Sequence, residues 1–154
     1  MEAMPCWPRT LSCPLANGYS FAPQNTFRRT QMDSGAARHR RTAMRHAKIV
    51  SVSWLLTQEQ LSIFEGFFLH ELYGGAAWFL SPLGNGHGVC CVKARFNNPS
   101  QPYQVESLAG VLLWKVTATL ESFDMPIYTK EAAEIVKDIT ASDIDRLKHY
   151  LENR

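Results

Sequence analysis

The stretch from residue 46 to residue 75 changes its hydrophobic period at one residue, and that change limits the folds open to the chain. "HAKIVSVSWLL" (46–56) alternates, with Ile49, Ser51, Ser53 and Leu55 on one face and Val50, Val52, Trp54 and Leu56 on the other. Period two with β-branched residues specifies a strand, buried mainly on its Val/Trp face. "TQEQLSIFEGFFLHELYGG" (57–75) then places Leu61, Phe64, Phe68 and Leu72 at helical spacing, which gives one apolar stripe. Thr57 and Gln60 form a capping-box pair, each side chain satisfying an orphan backbone N–H at the helix start. Gly74-Gly75 supplies a positive-φ stop. A strand that passes into a helix without a loop must bury both apolar faces in one shared core.

Strand candidates follow: "AAWFLSP" (76–82), "VCCVKARF" (89–96), "YQVESL" (103–108) and "VLLWKVTATLE" (111–121). They are separated by "LGNGHG" (83–88), "NNPSQP" (97–102) and Ala109-Gly110, which is turn chemistry and indicates antiparallel pairing. The expected fold class is α+β: an antiparallel, β-sandwich-like sheet packed on one α-helix. Its expected core is Trp54, Phe64, Phe68, Trp78, Phe79, Trp114 and Val116, with Glu65 and Glu71 on the polar side of the helix. Residues 46–121 make this β-rich core domain. Residues 122–154 read as a helical extension of two short helices, "TKEAAEIVKDI" and "SDIDRLKHYLENR", with Thr129 and Ser142 as N-caps.

Residues 1–45 have no sustained period and are punctuated by prolines, Asn17-Gly18 and Ser34-Gly35, so they read as an extended N-terminal arm that does not fold against its own domain. Charge is distributed unevenly. The net of +2 divides into +6 over residues 1–48, −1 over 49–120 and −3 over 121–154. "GYSFAPQNTFRRTQMDSGAARHRR" (18–41) holds five arginines and one acid, Asp33. Arginine suits a contact surface because its planar fork pairs bidentately while its stem packs. Arg28, Arg29, Arg38, Arg40 and Arg41, with Tyr19 and Phe21, are therefore the expected partner-interface residues. A nucleic-acid contact and a solvated loop are the competing readings. The segment lacks interleaved aromatics for base stacking, since Tyr19, Phe21 and Phe27 lie only at its start.

Catalytic and metal chemistry is not expected. "GNGHG" joins two strands, whereas a phosphate loop opens a helix. The histidines (39, 46, 70, 87 and 149) form no ligand pair with a third ligand nearby, and a Cys90/His87 metal site would need two more convergent ligands. Cys6 and Cys13 match no ligand spacing, while Cys90 and Cys91 should point to opposite faces of a strand. No serine or cysteine sits in a nucleophile motif. The expectation is a non-enzyme without cofactor. No leader-like apolar run and no membrane-length apolar run occurs, so a soluble protein made in a cytoplasm is expected.

The order of motifs adds a resemblance. Trp7-Pro8, "N-G-Y-S-x-x-P" (17–23), "R-T-x-M-D-S-G-x-A-R-x-R-R" (29–41), "V-S-W-L-L-T", "G-G-A-x-W-F", "A-R-F" and "W-K-V-T-A-T-L-E" (114–121) follow one another. This layout resembles small tail-associated structural proteins of tailed bacteriophages, and is similar to lambda-type minor tail proteins and the β-rich core of distal tail proteins. It covers about residues 5–121. The resemblance implies a structural virion protein, a ring-forming tail-hub or distal-tail-like subunit synthesised in the cytoplasm of a bacterial host. Implied partners are other copies of the chain in a ring, neighbouring tail, hub, adaptor or fibre proteins, and passing contact with DNA, without a membrane anchor. Head–tail adaptors and fibre-attachment rings also use small β-rich subunits, so a head–tail adaptor or fibre-attachment subunit is an alternative, and a nucleic-acid-binding module using the arginine segment is the alternative class. No catalytic residues transfer.

Overall fold

The computed structural model describes residues 3–137 and, beyond them, residues 143, 144 and 149. Chain order is β1 (Ser20–Pro23), β2 (Phe27–Thr30), β3 (Arg38–Arg41), β4 (Lys48–Thr57), α1 (Gln58–Gly66), a π-helical turn (Phe67–Glu71), β5 (Phe79–Asn85), β6 (Gly88–Phe96), β7 (Tyr103–Leu108), β8 (Leu113–Ser122) and α2 (Lys130–Lys137). The class is α+β. Six strands form one antiparallel sheet in the order β1-β4-β8-β6-β5, with β7 also on β8, and β2 and β3 form a separate two-stranded sheet.

Pairing register explains where the core lies. β4 and β8 pair over their whole lengths, from Lys48↔Ser122 to Thr57↔Leu113, so Val50↔Leu120, Val52↔Ala118 and Trp54↔Val116 share one face. Phe96↔Leu120 and Phe79↔Ala94 carry that face onto β6 and β5. α1 covers it. Its N-terminus has both halves of the expected capping box: Gln60 N–H donates to Thr57 Oγ1, and Thr57 N–H donates to Gln60 Oε1. Phe64 is fully buried, edge-on to Tyr103 at 5.0 Å. Each fully buried side chain of this size contributes about 1.5–3 kcal/mol by removal from water.

The helix does not keep its expected period. At Phe67–Glu71 it widens into a π turn, and Leu72 N–H bonds to the Phe67 carbonyl at 3.1 Å. One extra residue in the turn rotates the following stripe. Phe67 enters the core, and Phe68 packs only partly buried against Phe96 and Tyr103. The helix then ends as the sequence demands. Tyr73, Gly74 and Gly75 have φ of 49°, 72° and 93°, and a Cβ on Gly75 would lie 2.8 Å from Phe68 Cε2.

Three expectations about the core are corrected. Residues 5–23 pack on the domain rather than standing apart from it. Trp7 is buried and stacks on Trp54 at 4.7 Å, and Leu11 is buried with it. Trp7 N–H bonds to the Leu80 carbonyl and Leu80 N–H to the Pro5 carbonyl, each at 2.8 Å. Leu15 N–H reaches the Ser53 carbonyl, Ser12 Oγ donates to the Leu55 carbonyl, and β1 pairs with β4. These bonds satisfy groups along the edges of β4 and β5 that would otherwise lack partners. Trp78, expected in the core, lies on the opposite face, where Arg95 and Lys93 sit 4.5 and 5.1 Å from its ring centroid. Trp114 is only half-buried.

The boundary at residue 122 also moves, because Ser122 ends β8 and Met125 is buried in the core. α2 forms with Ala132 N–H donating to Thr129 Oγ1, the expected cap, and none of its residues is buried. In "SDIDRLKHYLENR" Asp143, Ile144 and His149 are helical; the remainder of that second expected helix, with its Ser142 cap, lies outside the described residues.

Candidate functional site: a cationic hairpin

Local sequence builds the hairpin. "FRRT" and "RHRR" are joined by residues 31–37, where Gly35 takes a φ of 92°. The register is Phe27↔Arg41, Arg28↔Arg40, Arg29↔His39 and Thr30↔Arg38. Alternation therefore sorts the side chains by face. Arg28, Thr30, Arg38 and Arg40 share one face; Phe27, Arg29, His39 and Arg41 share the other. Every residue of both strands is exposed.

The electrostatics of this pairing are unfavourable in isolation. Arg28 stands directly opposite Arg40, and like charges at opposed positions destabilise a ladder. A two-stranded hairpin is marginal by itself even without that repulsion. Among the described residues no carboxylate forms an ion pair with Arg28, Arg29, Arg38 or Arg40, whereas Arg45 pairs with Asp124 and Arg95 with Glu121. Arg41 is held internally, donating from Nε to the Ala43 carbonyl and from Nη2 to the Met44 carbonyl. On its face the Phe27 and His39 rings stack at 5.0 Å and 13°. The sequence hides this pair, because its members are twelve residues apart and only the register brings them together.

Of the seven expected interface residues, the structure brings five together, the arginines of β2 and β3. Tyr19 and Phe21 lie elsewhere. The half-buried Tyr19 hydroxyl donates to the Gly84 carbonyl at 2.6 Å, which ties the N-terminal segment to β5, and burial pushes its phenol above the ordinary value. Tyr19 is thus an internal anchor. Phe21, on β1, is partly exposed and carries the Lys48 ammonium 5.3 Å from its ring centroid.

A second polar cluster contrasts with the hairpin. On the outer face of the sheet Arg95 pairs with Glu121 and covers Trp78, while Arg45 pairs with Asp124 at 3.1 Å. A shallow hollow of about 250 Å³ lies between Arg45, Trp78, Lys93, Phe123 and Asp124. Both arginines there have carboxylate partners, and Lys93 sits against the Trp78 ring, unlike the arginines of the hairpin. Burial and the nearby Glu65 raise the Tyr103 phenol above its ordinary value. Cys90 faces the core and Cys91 the exterior, as strand alternation requires, and "GNGHG" is a hairpin turn in which His87 N–H donates to Asn85 Oδ1 at 2.8 Å. Among the described residues no group of three or more His, Cys, Asp or Glu could hold a metal ion, and no helix is long and apolar enough to cross a membrane.

Hydrogen exchange on the monomer should separate the two halves of the N-terminal segment. Slow exchange is expected for the amides of Trp7 and Leu15, and fast exchange for β2 and β3, whose opening uncovers no core. Equal protection of β3 and β4 would show that the hairpin is packed on the body.

No protein-family model matches the chain, and no curated protein matches it.

Proposed function

We propose that the protein is an assembly subunit of a tailed-bacteriophage virion: a rigid α+β body, its sheet sandwich-like around the α1 cover, that meets its neighbours through projecting surfaces. The motif order over residues 5–121 supports this reading. The observation that carries the contact role is the β2–β3 hairpin, fully exposed, with four arginines lacking carboxylate partners among the described residues. Such an element gains little from ordering in a monomer and much from an anionic neighbour. In this reading the contacting part of residues 1–45 is the hairpin, and copies associate in a ring at a tail-hub or distal-tail position. A head–tail adaptor or fibre-attachment position is the alternative placement.

Sheet edges support self-association. Among the described residues β7 pairs with β8 alone, and the β7–β8 connection exposes Val111 and Leu112, the latter at 74%. An uncovered edge beside apolar side chains favours pairing with another chain.

Two variants test the contact role in particle assembly. Arg28→Ala/Arg38→Ala/Arg40→Ala should assemble poorly while the isolated protein keeps its wild-type unfolding midpoint, because the hairpin lies outside the core. The corresponding triple lysine variant separates geometry from charge: it fails if bidentate forks are needed and succeeds if charge suffices. Normal particles from the alanine variant would remove the hairpin as a contact element.

A further inference from the structure

The β2–β3 hairpin presents two chemically different faces, and both must be matched by whatever it binds. One face has Arg28, Arg38 and Arg40 around Thr30; the other has the Phe27–His39 stack flanked by Arg29 and Arg41. We propose that the hairpin binds the phosphodiester backbone of double-stranded DNA. This deepens the reading of the hairpin as the contact element and rests on it.

Spacing favours a polyphosphate over an acidic protein surface. Residues two apart on a strand, such as Arg38 and Arg40, are separated by about 6.6–6.8 Å. Phosphates of one DNA strand rise about 3.4 Å each along the axis and also turn about it, so neighbouring phosphates lie farther apart than this rise, within the span of the two arginines. Arg28, opposite Arg40 in register, adds a third cation on the same face. The repulsion within this pair is offset best by a continuous line of anions that surrounds both groups. Discrete carboxylates would each have to be placed against one fork.

Shape points the same way. A two-stranded ribbon is narrow enough to enter a major groove about 12 Å wide. With the three-arginine face toward one strand's phosphates, the Phe27–His39 plane turns toward the groove interior. Sugar edges there accept an apolar surface, and Arg29, on the same face, adds the fourth cation toward the second backbone. The contact is sequence-independent in this arrangement, because phosphates carry no sequence information.

The test uses the full-length protein and a labelled 25-base-pair duplex at about 50 and 200 mM salt, with a single strand and poly-glutamate as comparison ligands. Four unpartnered arginines on phosphates predict roughly a hundredfold loss of affinity between the two salt concentrations. Arg28→Ala/Arg38→Ala/Arg40→Ala should flatten this to about threefold to fourfold, and the triple lysine variant should keep most of the slope. Phe27→Ala should weaken binding without changing the slope.

An absence of salt-sensitive duplex binding in the folded protein would overturn the proposal. So would an unchanged slope in the alanine variant, or single-strand binding tighter than duplex binding. Poly-glutamate that binds as tightly as the duplex would also overturn it and assign the hairpin to an acidic protein partner. Failure here with assembly still dependent on the arginines would sink the DNA inference alone. Normal assembly by the alanine variant would remove the contact reading beneath it.

Discussion

Trp7→Ala should destabilise the protein by about 3–5 kcal/mol, although Trp7 lies in a Pro-rich segment without periodic pattern. The indole is buried, stacked on Trp54 at 4.7 Å and edge-on to Phe67 at 6.0 Å, and its Nε1–H donates to the Ser12 carbonyl at 3.2 Å. Truncation opens a cavity above Trp54 and leaves the Ser12 carbonyl without that donor. For a chain of this length each kcal/mol lowers the midpoint by roughly 2–4 °C, so thermal unfolding should shift by about 10 °C. Arg38→Ala is the control and should stay within about 0.5 kcal/mol, since the side chain is on an exposed strand. A loss below about 1 kcal/mol for Trp7→Ala would mean that the N-terminal segment is not part of the folded core.

Phe64→Ala should cost a similar amount, about 3–5 kcal/mol, from the other side of the same cluster. Phe64 is fully buried at the centre of the aromatic group, with ring centroids 5.9 Å from Trp7, 5.9 Å from Trp54 and 5.0 Å from Tyr103. A loss of this size is a large part of the 5–15 kcal/mol that holds a typical domain together. Denaturant unfolding measures it through the midpoint at constant slope. Because Phe64 and Trp7 touch, the double variant should deviate from additivity by about 0.5–1.5 kcal/mol. Strict additivity would show that the two rings do not share a cavity, and a Phe64→Ala cost below about 1 kcal/mol would place α1 off the sheet.

Both predictions draw on a core that was partly legible. The alternation of Val50, Val52, Trp54 and Leu56 identified the buried face of β4, and the Thr57/Gln60 pair located the start of α1. Those signals are local, because side-chain direction follows from backbone period within a few residues. Trp78 was misplaced because it precedes β5 by one residue, and one residue of offset in a strand exchanges the faces of a sheet. Phe67 was missed because a π turn adds a residue within the helix, and nothing in "EGFFLHE" announces it.

The hairpin was legible as charge and not as shape. Five arginines within fourteen residues are visible in the chain, and so is the lack of acids in the two strands. Their opposition at Arg28 and Arg40, and the meeting of Phe27 with His39, depend on a register across a seven-residue loop that no local pattern specifies. Tyr19 was legible only as an aromatic beside the arginines. Its bond to Gly84 spans sixty-five residues.

The sequence by itself, in which β1, β2 and β3 were not legible, determined the α+β class of the body: the strands from β4 to β8, where the helix begins and stops, and which region carries positive charge. These follow from propensity, period and capping, all set within one or two turns of chain. Tertiary structure alone decided that residues 5–23 belong to the body, that Trp7 completes the aromatic core, and that the arginines form an opposed pair beside a stacked aromatic plane. Each of those depends on surfaces brought together from distant parts of the chain, where burial and unsatisfied strand edges select the partner.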